Sequence, residues 1–175
     1  MSVPTHTTPP PPIPQEVRDW VPATRTLLVG GSMVEPRGET WDVFNPATEA
    51  VIATVSGASA DQVDAAVLAA RNAFPAWAAL SGAERGAHIH RFADALDAAA
   101  DRLLPSIVNE VGTPVSLAEY LQVKMAVQEH LRWAADAAAT DRTVHLGRYE
   151  TPWPTMSDVV HEPVGVVAAI TGYNY

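Results

Sequence analysis

The hydrophobic rhythm of the chain changes along its length, and each change predicts an element. From Arg25 apolar and polar residues alternate over short runs, and "TLLVGGSMVE" reads as two strands around Gly30-Gly31, a hairpin signal. "TWDVFNPATEAVIATVSGA" repeats the form, with Trp41 and Val43 on one arm and Val51, Ile52 and Val55 on the other. Between them lies Asn45-Pro46-Ala47-Thr48, a well-specified turn, because Asn before Pro is steered out of the helical region and Pro fixes the next φ. At Ser59 the spacing becomes helical. Ser59 to Gln62 and Ser81 to Glu84 each fit a capping box. Val63, Val67, Ala70, Phe74 and Trp77 follow the first, with Pro75 expected to break or kink the helix near Phe74. Ile89, Phe92, Leu96, Ala99 and Leu103 form one stripe after the second. A further helix is predicted over Leu104 to Val111, stopped by Gly112. Thr113-Pro114 then starts a last one, which carries Leu117, Leu121, Met125 and Leu131 and runs to about Ala138.

Strand character returns after that helix. Thr143 to Tyr149 and Met156 to His161 read as two arms of a hairpin around Pro152-Trp153-Pro154. The chain closes on "EPVGVVAAITGYNY", in which an unbroken apolar run, Val164 to Ile170, leads into the small polar and aromatic turn Thr171 to Tyr175. Short apolar runs of this kind predict strands buried on both faces, in the middle of a sheet. The order is therefore β-hairpins, helices, a β-ribbon and one buried strand. That is an α/β chain expected to begin a sheet without finishing it, since a layered domain needs neighbours for that strand.

Composition adds bounds. The 175 residues suit one domain of ordinary size, and 47% hydrophobic residues argue against a wholly disordered chain. A formal net charge of −9 argues against a nucleic-acid backbone or an anionic membrane as main partner. Cysteine is absent, which excludes disulfides, thiolate metal sites and a cysteine nucleophile within this chain. No apolar segment approaches a membrane span and the start is not a secretory signal, so the cytoplasm is the expected location. Seven of the 15 prolines fall within residues 1 to 22, so residues 1–24 are expected to be a disordered tail.

Candidate chemistry is sparse. His88 and His90 are two apart on a predicted helix, face different ways and cannot chelate together, and His130, His145 and His161 have no His or carboxylate partner at metal-ligand spacing. No glycine-rich dinucleotide fingerprint or P-loop is present. The terminal turn stands apart, because ligands of open α/β sheets bind beyond the carboxyl ends of the strands. There Asn174 could donate its amide N–H to an oxyanion, or serve simply as a turn residue chosen for its φ tolerance.

Several segments together resemble the amino-terminal part of the NAD(P)-dependent aldehyde dehydrogenase superfamily: "LLVGGSMVE", "NPATEAVIATVSGASADQVDAAVLAARNAFPAWAALSGAER", "EVGTP" and "EPVGVVAAITGYNY". They occur in the family's order from about Leu27 onward, and the Asn-Pro-Ala-Thr turn and the ending are the specific ones. The resemblance implies an incomplete Rossmann-type cofactor domain and oxidation of an aldehyde to a carboxylic acid with NAD or NADP. In the family a cysteine thiolate attacks the aldehyde, an asparagine holds the oxyanion, and a glutamate-activated water releases the acid. The family asparagine maps onto Asn174, and Ile170, Thr171, Gly172 and Tyr173 map onto the strand end and turn that touch the cofactor. Residues 25–142 would be the amino-terminal part of the cofactor domain, residues 143–163 an oligomerisation β-ribbon, and residues 164–175 the first central strand and its turn. The resemblance thus implies a homo-oligomer through the ribbon and an aldehyde as small-molecule partner, with no nucleic acid and no membrane.

This sequence departs from the family pattern in three ways. Gly172-Tyr173 stands where Pro-Trp is common, and Gly112-Thr113-Pro114 where Gly-Lys-Pro is common. The nucleophilic cysteine, the general-base glutamate and the main cofactor-binding lysine would all belong to later sequence, so this chain alone is expected to be inactive. The alternative is a non-catalytic interaction module that pairs through its ribbon with a related subunit.

Overall fold

A computed structural model describes residues 26–140, 143–150 and 152–172. The Pro-rich tail over residues 1–24, and Tyr173 and Asn174, lie outside the described residues. The elements run β1 (Leu27–Val29), β2 (Ser32–Val34), β3 (Thr40–Phe44), β4 (Val51–Ser56), α1 (Ala60–Ala79), α2 (Gly82–Ala98), α3 (Ala100–Val111) and α4 (Val115–Leu117). A π-helical stretch, Ala118–Leu131, continues into α5 (Arg132–Ala139), and the ribbon β5 (Val144–Tyr149) and β6 (Thr155–Val159) follows. The mixture of helix and strand is the α/β class expected. Among the described residues the strands form three separate antiparallel pairs, β1–β2, β3–β4 and β5–β6.

The first hairpin turns on Gly30 and Gly31, both at positive φ (59° and 82°), the conformation its two-residue turn requires. In the second, Trp41 faces Val55 and Asp42 faces Thr54, whose hydroxyl donates to the Asp42 carboxylate at 2.6 Å. Both capping boxes form. The Ser59 N–H donates to Gln62 Oε1 at 3.1 Å, and the Ser81 N–H donates to Glu84 Oε2 at 2.8 Å.

The helical core lies mainly between α2, α5 and the π-helical stretch, and it is built from small residues. Ala93, Ala118 and Ala135 are fully buried, with Val108, Val123 and Val127 close to it. Glycines let the backbones of α2 and α5 meet. A Cβ at Gly86 would sit 2.7 Å from the Ala135 carbonyl oxygen, and one at Gly82 would sit 2.6 Å from that of Ala138. Arg132 then ties the two helices by pairing with Asp94 at 2.9 Å, and His90 Nε2 meets Asp136 Oδ1 at 3.1 Å.

Close approach explains one departure from the predicted stripe. Phe92 is 57% exposed, and its neighbour Ala93 points inward instead, where an aromatic ring would hold α5 away. A second departure lies in the last helix. Leu117 is exposed, while Ala118, Val123 and Val127 are buried. π-Helical bonding closes on the fifth residue rather than the fourth, so inward positions slip relative to a 3.6-residue spacing. A third concerns α1: of the break or kink expected near Phe74, the break does not occur, and the helix runs through Pro75 to Ala79. Ala73, Ala76, Ala78 and Ala79 flank the proline, and alanine's high helix propensity offsets one missing bond.

The terminal apolar run forms no strand within this chain. Residues 160–172 carry no ladder hydrogen bonds, and Val164 and Ile170 are 91% and 95% exposed. A strand that needs partners on both edges finds none among the described residues. No helix among them is long and apolar enough to cross a membrane.

Candidate functional site

Of the residues expected to meet a cofactor, Ile170, Thr171 and Gly172 are described, and all three are exposed. They lie on one irregular segment, with no packed element behind them, and enclose no site by themselves. Tyr173 and the expected oxyanion donor Asn174 lie outside the described residues.

Two of the other matching segments do come together, and they form a clasp. Asn45, only 2% exposed, donates through Nδ2 to Asn109 Oδ1 at 2.9 Å, across 64 residues of chain. Its own Oδ1 accepts from the N–H groups of Ala47 (2.8 Å) and Thr48 (3.1 Å), which closes the turn predicted there. Asn109 Nδ2 donates back to the Pro105 carbonyl at 2.8 Å. Below this pair, Gly112 ends α3 in the left-handed region, with φ 77°, and its N–H donates to the Val108 carbonyl at 3.0 Å. A Cβ at Gly112 would meet Pro46 Cγ at 2.6 Å. The Asn-Pro-Ala-Thr turn and the Glu-Val-Gly-Thr-Pro segment therefore interlock, an amide on an amide and a proline ring over a glycine. Asn109 was not singled out from the sequence, although an Asn inside a helix, four residues after a proline, is a poor helix former that asks for a specific partner.

A second buried amide plays the same part at the start of α1. Gln62 Nε2 donates to the Glu35 carbonyl at 2.7 Å, and its Oε1 accepts from the Arg37 N–H at 2.9 Å. Arg37 also pairs with Asp61. The Ser59 hydroxyl, followed by Arg37, outweighs desolvation and holds the Asp61 carboxyl below its usual value. Glu110, next to the clasp, goes the other way: desolvation raises its carboxyl.

Both clasps are neutral, satisfied and structural. They have neither nucleophile nor base. Among the described residues no group of three or more His, Asp or Glu is placed to hold a metal ion. His88 Nδ1 meets Arg91 Nη2 at 2.7 Å, and His145 Nδ1 meets Asp158 Oδ1 across the ribbon at 2.7 Å. The ribbon itself is exposed along both strands.

Comparison with known proteins decides what these motifs belong to. The aldehyde dehydrogenase family profile matches residues 33–175, which covers both halves of the clasp and the terminal run. This chain belongs to the aldehyde dehydrogenase family. Among curated relatives, geranial dehydrogenase from Castellaniella defragrans is 32% identical over 152 residues, covering 85% of this chain and 31% of that protein. Among solved structures, aldehyde dehydrogenase C from Pseudomonas syringae, a mutant bound to NAD+ and octanal, is 35% identical with a TM-score of 0.66. That match covers 71% of this chain and 26% of the other. An NAD-dependent benzaldehyde dehydrogenase from Corynebacterium glutamicum is 29% identical with a TM-score of 0.65, covering 73% of this chain and 28% of the other. The chain thus spans about a third of the length of the curated aldehyde dehydrogenase it matches.

Proposed function

We propose that this chain serves an aldehyde dehydrogenase that oxidises an aldehyde to a carboxylic acid with NAD or NADP. The observation that supports this most is the family match running unbroken through the terminal apolar run to residue 175. In this reading the run Val164 to Ile170 is a central strand of the cofactor-binding sheet, and Ile170, Thr171, Gly172 and Tyr173 form one wall against the cofactor. Bound there, the cofactor would accept a hydride. Asn174 contributes a neutral amide N–H that stays a donor at every working pH, which suits it to an oxyanion. The chain has no cysteine and hence no family nucleophile, so on its own it is expected to reduce neither NAD nor NADP with any aldehyde. A cytoplasmic location and a homo-oligomer formed through residues 143–163 complete the proposal.

The test is a chimera in which residues 26–175 replace the matching third of geranial dehydrogenase. Asn174→Ala in an active chimera should lower kcat about 10²- to 10³-fold, the usual effect of removing an oxyanion donor, with little change in KM. An active chimera whose kcat ignores that substitution would remove Asn174 from the chemistry. Turnover by the cysteine-free chain alone would overturn its expected inactivity.

The fully exposed ribbon favours a second reading, a non-catalytic module that pairs with a related subunit. Co-purification of this chain with a full-length relative, without gain or loss of that relative's activity on Asn174→Ala, would favour the module.

A further inference from the structure

The π-helical stretch Ala118–Leu131 carries two inward faces, and only one of them is in use. Its buried residues, Ala118, Val123 and Val127, stand five and four apart, the spacing of a coil that closes on the fifth residue. The sequence also offers Leu117, Leu121, Met125 and Leu131, which at about 100° per residue share one arc of roughly 120° on an α-helix. In that register Leu117 would face inward, and Val123, about 240° from it, would turn to solvent. The structure shows the reverse: Leu117 is 48% exposed and Val123 5%.

Two polar details set the registers against each other. Lys124 Nζ pairs with Glu119 Oε1 at 2.5 Å, and the two residues stand five apart. On an α-helix such positions are about 140° apart and do not meet, because partners there sit three or four apart. π bonding brings the fifth residue over the first, so this pair belongs to the π register alone. Against it stands Gln122, whose Oε1 is buried with no hydrogen-bond partner among the described residues. A buried acceptor without a donor is costly, and in the α register residue 122 turns about 120° from the middle of the inner face, toward water.

The stretch also joins two fixed seats. It follows Pro114 and α4, next to the clasp, and it delivers α5 onto Gly82 and Gly86. We infer that residues 118–131 are a two-state element: π-helical while Glu119 holds Lys124, and α-helical, with Leu117 inward and Val123 outward, once that latch is released. The change of pitch takes up slack between the clasp and α5.

Because the chain has no cysteine, one introduced thiol reports one position. Leu117→Cys and Val123→Cys are made separately in the full chain, and the rate at which a maleimide labels each is measured. Leu117→Cys should label the faster. Glu119→Gln, added to both, should lower the ratio of the two rates about twofold, the size of one helical ion pair. Tyr120→Glu, added to Glu119→Gln, places a carboxylate four residues before the same lysine, at an exposed position. That arrangement favours the α register and should lower the ratio about twofold again. Exchanging the charges, Glu119→Lys with Lys124→Glu, should bring the ratio back to its starting value. A ratio that Glu119→Gln leaves unchanged, or that Tyr120→Glu raises, overturns the two-state element. So do rates that rise together at both positions, which would mean that the stretch opens rather than changes register. A fall that the charge exchange does not reverse removes the ion pair as the latch.

Discussion

The clasp at Asn45 and the terminal segment after β6 carry equally specific family motifs, yet the chain treats them in opposite ways. Around Asn45 the side-chain amide and the N–H groups of Ala47 and Thr48 have partners inside the chain, and Pro46 fills the space that a Cβ at Gly112 would need. Along Val164 to Ile170 neither edge of the backbone has a ladder partner, and the apolar side chains at its two ends face water. A motif whose partners both lie within the chain can assemble here, however far apart they stand in sequence. A motif whose chemistry is that of a central strand needs neighbours, and its apolar character alone gives it no shape.

Substitutions should separate the two regions by the size of their effect. The largest is expected at Gly112→Ala, where φ 77° strains any other residue and the new methyl would press on Pro46. A loss of about 2–3 kcal/mol should appear as a lower urea midpoint at unchanged slope. Next is Asn45→Ala, which strips partners from Asn109 Oδ1 and from two turn N–H groups, at about 1–3 kcal/mol. The pair with Asn109→Ala should be clearly less than additive, and full additivity would mean the clasp is no unit.

Ser81→Ala should cost about 1 kcal/mol by removing the cap of α2. Its pH dependence is specific. The Ser81 N–H and then the Ser81 hydroxyl hold the Glu84 carboxyl below its usual value, so that contribution is present above the ordinary Glu range and fades as pH falls through the lowered one. In acid the gap between wild type and variant should therefore narrow to what remains from the Glu84 N–H donating to the Ser81 hydroxyl, a bond that does not titrate. Glu110 gives the opposite sign and a smaller effect. Its carboxyl is raised by desolvation, so its favourable neutral form is kept below the ordinary value and lost as pH rises through the raised one. Glu110→Gln should gain a little stability at neutral pH and none in acid. Smallest of all, Val164→Ser or Ile170→Ser should change the stability of this chain by less than about 0.5 kcal/mol, because neither side chain is packed. A large loss there would mean that the terminal run does find a partner in solution.

How much was legible in the sequence follows the same divide. Turns and caps are local, so the Gly30-Gly31 turn, the Asn45 turn, both capping boxes and the Gly112 stop appear where residue chemistry puts them. The ribbon is legible too, because Pro152-Trp153-Pro154 separates two β-rich runs. Helix faces were less so. The spacing of Ile89, Phe92 and Leu96 describes an amphipathic helix, but whether Phe92 or Ala93 turns inward depends on how closely α5 approaches. That distance is set by Gly82 and Gly86, which a hydrophobic pattern ignores. The π-helical stretch defeats a 3.6-residue reading by construction. The contact between Asn45 and Asn109 spans 64 residues, beyond any local rule.

Gly82 and Gly86 also set an angle. α5 lies against them, so its direction is taken from that seat. A methyl group added at residue 86 would press on the Ala135 carbonyl oxygen and tilt α5 away from α2. Gly86→Ala would then loosen the pairing of Arg132 with Asp94 although it touches neither residue.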